Sequence, residues 1–205
     1  MKLFRLFLVL TVLIWPGTAL AAGADMDSVL NRLQEIGGRI ETLSSDFSQE
    51  KYLSVFQEML PAAGRFYYRK PDQLRWELTS PVTSGFVLKG KQGRRWSQAG
   101  DAGERFDISR EPVMKIVAEQ LLAWTRADFD RLRTEYDMRL LKESPVTLRL
   151  DPKGGAAGFL DYLQITFAES GGHVQQVEVH EKGGDFTRII FHGTAINQPV
   201  ADELF

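Results

Sequence analysis

Two long stretches of this chain alternate apolar and polar residues with a period of two, and one helical stretch separates them. That pattern constrains the fold more than any other feature. In the first stretch the alternation predicts strands at Ser45–Ser54, Gly64–Lys70, Leu74–Ser80 and Gly85–Lys89, with turns signalled at Pro61, Lys70-Pro71-Asp72, Ser80-Pro81 and Gly90-Lys91-Gln92-Gly93. In the second it predicts Tyr136–Glu143, Val146–Leu150, Leu160–Ala168, Val174–Glu181 and Asp185–His192, divided by Pro145, Gly154-Gly155, Gly171-Gly172 and Gly183-Gly184. Short links between strands imply antiparallel neighbours. A sheet this large curls or closes, because an open one exposes apolar faces and edges.

Helical spacing appears twice. Val29, Leu30, Leu33, Ile36 and Ile40 recur along one face between Asp25 and Leu43, with Asp25 and Asp27 where a cap and a first-turn acid belong. Gly37 and Gly38 weaken the last turns of that helix. Between Glu111 and Tyr136, Pro112 stands at a first helical position, and Val113, Ile116, Val117, Leu121 and Trp124 form a stripe. A second short helical piece is predicted over Ala127–Arg133. The expected architecture is mainly β: one long antiparallel sheet, preceded by a helix and interrupted by a helical insertion.

The large apolar residues fall unusually. In Gly64-Arg65-Phe66-Tyr67-Tyr68-Arg69-Lys70, alternation puts Phe66, Tyr68 and Lys70 on one face. In the next strand it puts Leu74, Trp76 and Leu78 inward. Phe47, Phe86 and Leu88 extend the same aromatic face. Such a face is either an ordinary core or the wall of an apolar cavity for a ligand. Lys70 bears on the choice, since an inward ammonium needs a partner or a place at the rim.

The chain begins with Lys2 and Arg5, an apolar run from Leu6 to Trp15, then Pro16, Gly17 and Ala19-Leu20-Ala21. This is the order of a secretory signal, with cleavage expected after Ala21. The run is shorter than the roughly 20 residues of a spanning helix. With no cysteine, the mature chain can neither be acylated on one nor rely on disulfides. Residues 22–205 are expected to form one soluble domain that works outside the cytoplasm as a monomer. The whole chain has 25 basic and 27 acidic residues, and loss of the leader shifts it further acidic, against nucleic-acid binding.

Signals for chemistry are sparse. There is no G-x-S-x-G and no cysteine nucleophile. His173, His180 and His192 lack metal-ligand spacing, and His180 shares a strand face with Gln176, Glu178 and Lys182. No glycine-rich phosphate loop opens a helix. No metal, cofactor or catalytic residue is expected.

Read together, Phe47-Ser48-Gln49-Glu50-Lys51, Gly64-Arg65-Phe66-Tyr67-Tyr68-Arg69-Lys70-Pro71, Leu74-Arg75-Trp76-Glu77 and Pro81 resemble the N-terminal signature of the LolA family of periplasmic lipoprotein carriers. The order of elements also fits, through Asn197-Gln198-Pro199-Val200 to Asp202-Glu203-Leu204-Phe205. The resemblance implies an incomplete β-barrel of about 11 strands closed by a helical lid, of the LolA/LolB type. It also implies a non-enzymatic carrier of acylated lipoproteins, working between an inner-membrane ABC transporter and an outer-membrane acceptor. Phe47, Phe66, Tyr68, Leu74, Trp76, Leu78, Phe86 and Leu88 would then line the cavity, with Val113, Met114, Val117, Leu121 and Trp124 on the lid. Lys70 stands where the family has an arginine that bonds to the lid; lysine keeps the charge without the planar fork, and the resemblance implies that it gates the lid by tying it in its closed state. The chain ends at Phe205, where close relatives continue into a further strand. Rival readings are a carrier of another amphiphile, such as a glycolipid or polyene lipid, and an envelope esterase.

Overall fold

A computed structural model describes residues 25–205 apart from Ala99, Asp101, Ser170 and Gly171, and apart from the side chains of Pro112 and Val113. The expected leader and its cleavage site lie outside the described residues. Helix α1 (Met26–Gly37) precedes six strands, β1 (Thr42–Leu53), β2 (Glu58–Arg69), β3 (Gln73–Ser80), β4 (Ser84–Lys89), β5 (Gln92–Trp96) and β6 (Glu104–Asp107). Helices α2 (Pro112–Arg126) and α3 (Phe129–Glu135) follow. Five more strands complete the sheet: β7 (Tyr136–Glu143), β8 (Val146–Pro152), β9 (Leu160–Phe167), β10 (Val174–Glu181) and β11 (Phe186–Ile196).

All eleven strands join one antiparallel sheet in the order β6-β5-β4-β3-β2-β1-β11-β10-β9-β8-β7. Each block is a meander, and the pairing of β1 with β11 splices the two. The edges β6 and β7 do not pair with each other, so the barrel is incomplete. Because α2 and α3 are the connection between those two edges, they cross the concave face. Two apolar cores result. Val29, Leu30 and Leu33 of α1 pack with Phe129 and Leu132 of α3 and with Leu148, Leu150, Leu163 and Ile165 of β8 and β9. Phe47, Phe66, Tyr68, Leu74 and Leu88 pack with Ala118 and Leu121 of α2. Trp124 touches both cores.

The aromatic face depends on one missing side chain. Gly64 stands opposite Phe47 in the β1–β2 ladder, and a Cβ there would meet the Glu77 carbonyl at 2.2 Å and the Phe47 ring at 2.3 Å. The Phe47 ring thus lies flat over the glycine and stacks on Trp76, with centroids 4.1 Å apart. Covering a strand glycine with an aromatic ring pins the register. The ring would have no such seat beside a larger residue.

Several boundaries differ from expectation for identifiable reasons. Helix α1 stops at Gly37, where the Gly38 N–H donates to the Gln34 carbonyl at 2.8 Å, so Ile40 is buried outside the helix and Ile36 is exposed. Pro61, read as a turn, lies within β2. Strand β3 pairs with β2 only as far as Ala63, which leaves β2 an edge strand at Pro61, where a missing N–H costs nothing. Strands β5 and β6 lack an apolar alternation. Their concave positions hold Gly93, seated under the Phe106 ring, and Arg95, paired with Glu104 and Glu111.

Beyond β11 the chain folds back over the convex face. The Asn197 side chain accepts from the Glu41 N–H at 2.8 Å and donates to the Arg39 carbonyl at 3.0 Å. Farther on, Arg69 reaches Asp202 at 2.6 Å and lies 5.0 Å from the Phe205 ring centroid.

Two predictions concern this core. Gly64→Ala has to displace either Phe47 or the β3 backbone, and a loss of about 1–3 kcal/mol is expected in urea unfolding. Burial pushes the Tyr136 phenol up to about 12, with Glu135 adding to it. Burial likewise raises Tyr68, against the pull of the Arg126 guanidinium. The folded state therefore keeps these protons after the unfolded chain, with phenols near the usual ~10, has released them. Stability should hold below about pH 10 and fall as pH rises towards 12, and denaturation of Tyr136→Phe across that window should show a shallower loss.

Candidate functional site

The lid begins and ends on identifiable contacts. Pro112 occupies the first turn of α2, where its missing N–H has no helical use. Just before it, Glu111 accepts from Arg95 at 2.5 Å, and Arg95 also holds Glu104 at 2.8 Å. At the far end Arg126 lies against the Tyr68 hydroxyl. Ala127 then adopts a left-handed conformation with φ of 51° and stops the helix. Asp128 caps α3 by accepting from the Arg131 N–H at 3.1 Å. Helices α2 and α3 are joined by Gln120, which donates to Glu135 at 2.7 Å, and by Arg131 with Glu119, also at 2.7 Å.

Under this lid lies a cavity of about 810 Å³. Trp76 and Phe86 form one wall, Val117, Leu121 and Trp124 the roof, and Leu163, Val179 and Ile189 the opposite wall. Its volume is at the upper end of the range for small-molecule sites. The lining is mainly apolar, and the polar groups Glu119, Gln120, Thr134, Glu135 and Lys153 also belong to it. Ile116 and Phe159, also on its walls, are 54% and 56% exposed, so apolar surface continues out of the cavity to solvent.

The residues expected from sequence divide into three groups. Trp76, Phe86, Val117, Leu121 and Trp124 border the cavity. Phe66 borders a much smaller hollow beside it. Phe47, Tyr68, Leu74 and Leu88 are buried in the core, and Leu78 and Met114 pack against it. Nothing is described of the Val113 side chain. Tyr136, Leu160, Leu163, Val179 and Ile189 were not singled out, although the alternation in β9 and β10 marks Leu163, Ile165, Val177 and Val179 as inward.

Lys70 lies in the turn after β2, not on the concave face. Its ammonium donates to the Gly38 carbonyl at 3.0 Å and to Glu41 at 2.9 Å. Those bonds tie down the connection between α1 and β1. The contacts that hold α2 to the sheet are made by Arg95 and by Tyr68. Sequence reasoning missed Arg95 because an arginine in a Gln-Gly-Arg-Arg run reads as a solvated loop.

Among the described residues, no serine or histidine borders the cavity. Ser48 and His192 share a hydrogen bond of 2.9 Å, but they are on the convex side of β1 and β11, exposed and backed by no turn. His180 is held between Tyr162 and Phe186 and bonds to Glu178 at 3.0 Å. Among the described residues no group of three or more His, Cys, Asp or Glu is placed to hold a metal ion. No helix among them is long and apolar enough to cross a membrane.

Comparison with known proteins agrees with this geometry. The chain is 22% identical over 209 residues to an outer-membrane lipoprotein carrier protein of Pseudomonas putida, covering 100% of this chain and 94% of that one. It is 24% identical over 204 residues to the carrier of Azotobacter vinelandii, covering 97% and 90%. Among solved structures, a chain of the Pseudomonas aeruginosa MucA/MucB complex shares the fold, with a TM-score of 0.51 at 18% identity over 89% of this chain and 61% of that one. The family model described as outer membrane lipoprotein carrier protein LolA matches residues 38–205, and the chain belongs to that family.

Proposed function

We propose that this protein is an exported, non-enzymatic carrier that takes the acyl chains of lipoproteins into the cavity beneath α2 and moves them from the inner to the outer membrane. The observation that carries this reading is the cavity itself, about 810 Å³ with a mainly apolar lining, in a chain of a lipoprotein-carrier family. The leader at residues 1–21 would deliver it to the periplasm, and a membrane transporter and a membrane acceptor would be its partners. Another amphiphile with a long hydrocarbon chain would fit the same walls.

Energetics shape the cycle. Each buried methylene contributes about 0.8 kcal/mol, so one long chain fully enclosed would be held by on the order of 10 kcal/mol. A carrier gripping that firmly would not release. Part of the gain must be offset, and the lid would supply the offset: to admit a chain, α2 would give up part of the packing of Ala118 and Leu121 against the sheet. Filling the cavity then replaces one buried apolar contact with another. Arg95–Glu111 is the contact that would part as α2 moves, and the end beside Arg126 and Tyr68 would be its pivot.

Val117 lines the cavity but is 39% exposed, so Val117→Asp should fold normally and bind a fluorescent diacylated lipopeptide at least tenfold more weakly. Unchanged affinity would sink the cavity assignment. Arg95→Ala removes the hold on the first turn of α2 and should speed dissociation of bound lipopeptide several-fold in stopped-flow exchange, leaving the thermal midpoint within a few degrees. Mass spectrometry of lipid copurified with the native protein identifies the cargo, lipoprotein acyl chains being expected and a free glycolipid favouring the other amphiphile.

A further inference from the structure

Behind α2, next to the main cavity, is a hollow of about 20 Å³ walled by Leu43, Phe66, Val174 and Phe191. Leu121 and Trp124 are the two residues that border both spaces. They stand three positions apart on one helix face, so their side chains form a single partition. The hollow has room for about one water and is lined largely by apolar groups. As it stands, it could not hold any length of hydrocarbon.

The partition is packed without being pinned. The indole Nε1 of Trp124 is buried and has no hydrogen-bond partner among the described residues, although buried indoles normally find one. Neither hydroxyl that borders the hollow accepts from it: Thr125 donates to the Leu121 carbonyl at 2.7 Å, and Thr194 shares a hydrogen bond of 2.9 Å with Ser45. One turn earlier the Gln120 Oε1 is likewise buried and unpartnered. An unmet N–H penalises the present indole position. Any rotation that brings the N–H to water or to a polar group of cargo removes that penalty.

We propose that Trp124, seated beside Leu121, is a movable gate that sets the length of acyl chain the cavity accepts. With the indole in place, the chain ends at the roof beneath α2. With the indole swung aside, the space it vacates joins the cavity to the hollow, and the slot runs on to the rings of Phe66 and Phe191. Those rings meet edge to face at 6.0 Å. This inference rests on the acyl-carrier reading above and adds the residue that decides which chains fit.

The test uses the full mature protein and N-acylated peptides bearing twelve-, sixteen- and twenty-carbon chains, with affinity measured by titration for wild type, Trp124→Ala and Trp124→Phe. Each additional methylene that becomes buried tightens binding about fourfold. Trp124→Ala should therefore raise the preference for the twenty-carbon over the twelve-carbon chain by at least tenfold. Trp124→Phe, which keeps most of the volume and loses the N–H, should stay within about threefold of wild type. If Trp124→Ala does not fold, Trp124→Leu supplies the same readout. An unchanged chain-length preference in the smaller variants overturns the gate and leaves the carrier reading intact. Failure of the wild type to bind any of the three chains overturns both.

Discussion

The edges β6 and β7 do not meet, and most of what is unusual in this molecule follows from that. A closed barrel of this many strands would satisfy its own backbone and need no cover. Here the concave face is open along one side, and the segment that links the two edges crosses it. Helices α2 and α3 are therefore both the connection and the roof. They bury part of the apolar face in two cores, and the space between those cores is the cavity.

What the alternation revealed, and what it hid, has a physical basis. Strands β2 and β3 were legible because Gly64, Phe66 and Tyr68 and, after the turn, Leu74, Trp76 and Leu78 face the same apolar interior, and one of them, Gly64, marks the seat of a ring. Strands β5 and β6 were illegible because their inward positions serve Phe106 and Glu111 with a glycine and an arginine. The cavity residues were half visible. Periodicity identifies which side chains point inward, but it cannot say which inward side chains meet a neighbour and which meet a void. Phe47 and Leu74 point inward like Trp76 and Phe86, yet the former pair is buried in core and the latter pair faces open space.

Lys70 shows a limit of a different kind. Strict alternation carries it to the inner face, but β2 ends one residue earlier at Arg69 and the chain turns. Its ammonium is then free to hold Gly38 and Glu41, which fixes α1 against the start of β1. The neighbouring Arg69 faces the convex side and holds the C-terminal segment through Asp202 and Phe205. Two adjacent cations thus secure the two ends of the domain to the end of the same strand. Neither is spent on the lid.

The lid is instead held at its two ends by contacts of different character. Arg95–Glu111 is partly exposed and weakened by salt and water. Arg126 meets a buried phenol in a drier setting, where a lost partner costs more. The N-terminal end of α2 is therefore the end that yields first, and it carries Ile116 and Val117, the residues already exposed beside the cavity. In the proposed cycle, opening from that end would widen the entrance and draw Met114 and Ala118 away from the aromatic core. The stack of Phe47 on Trp76 is made within the sheet, so the wall that defines the space would keep its shape.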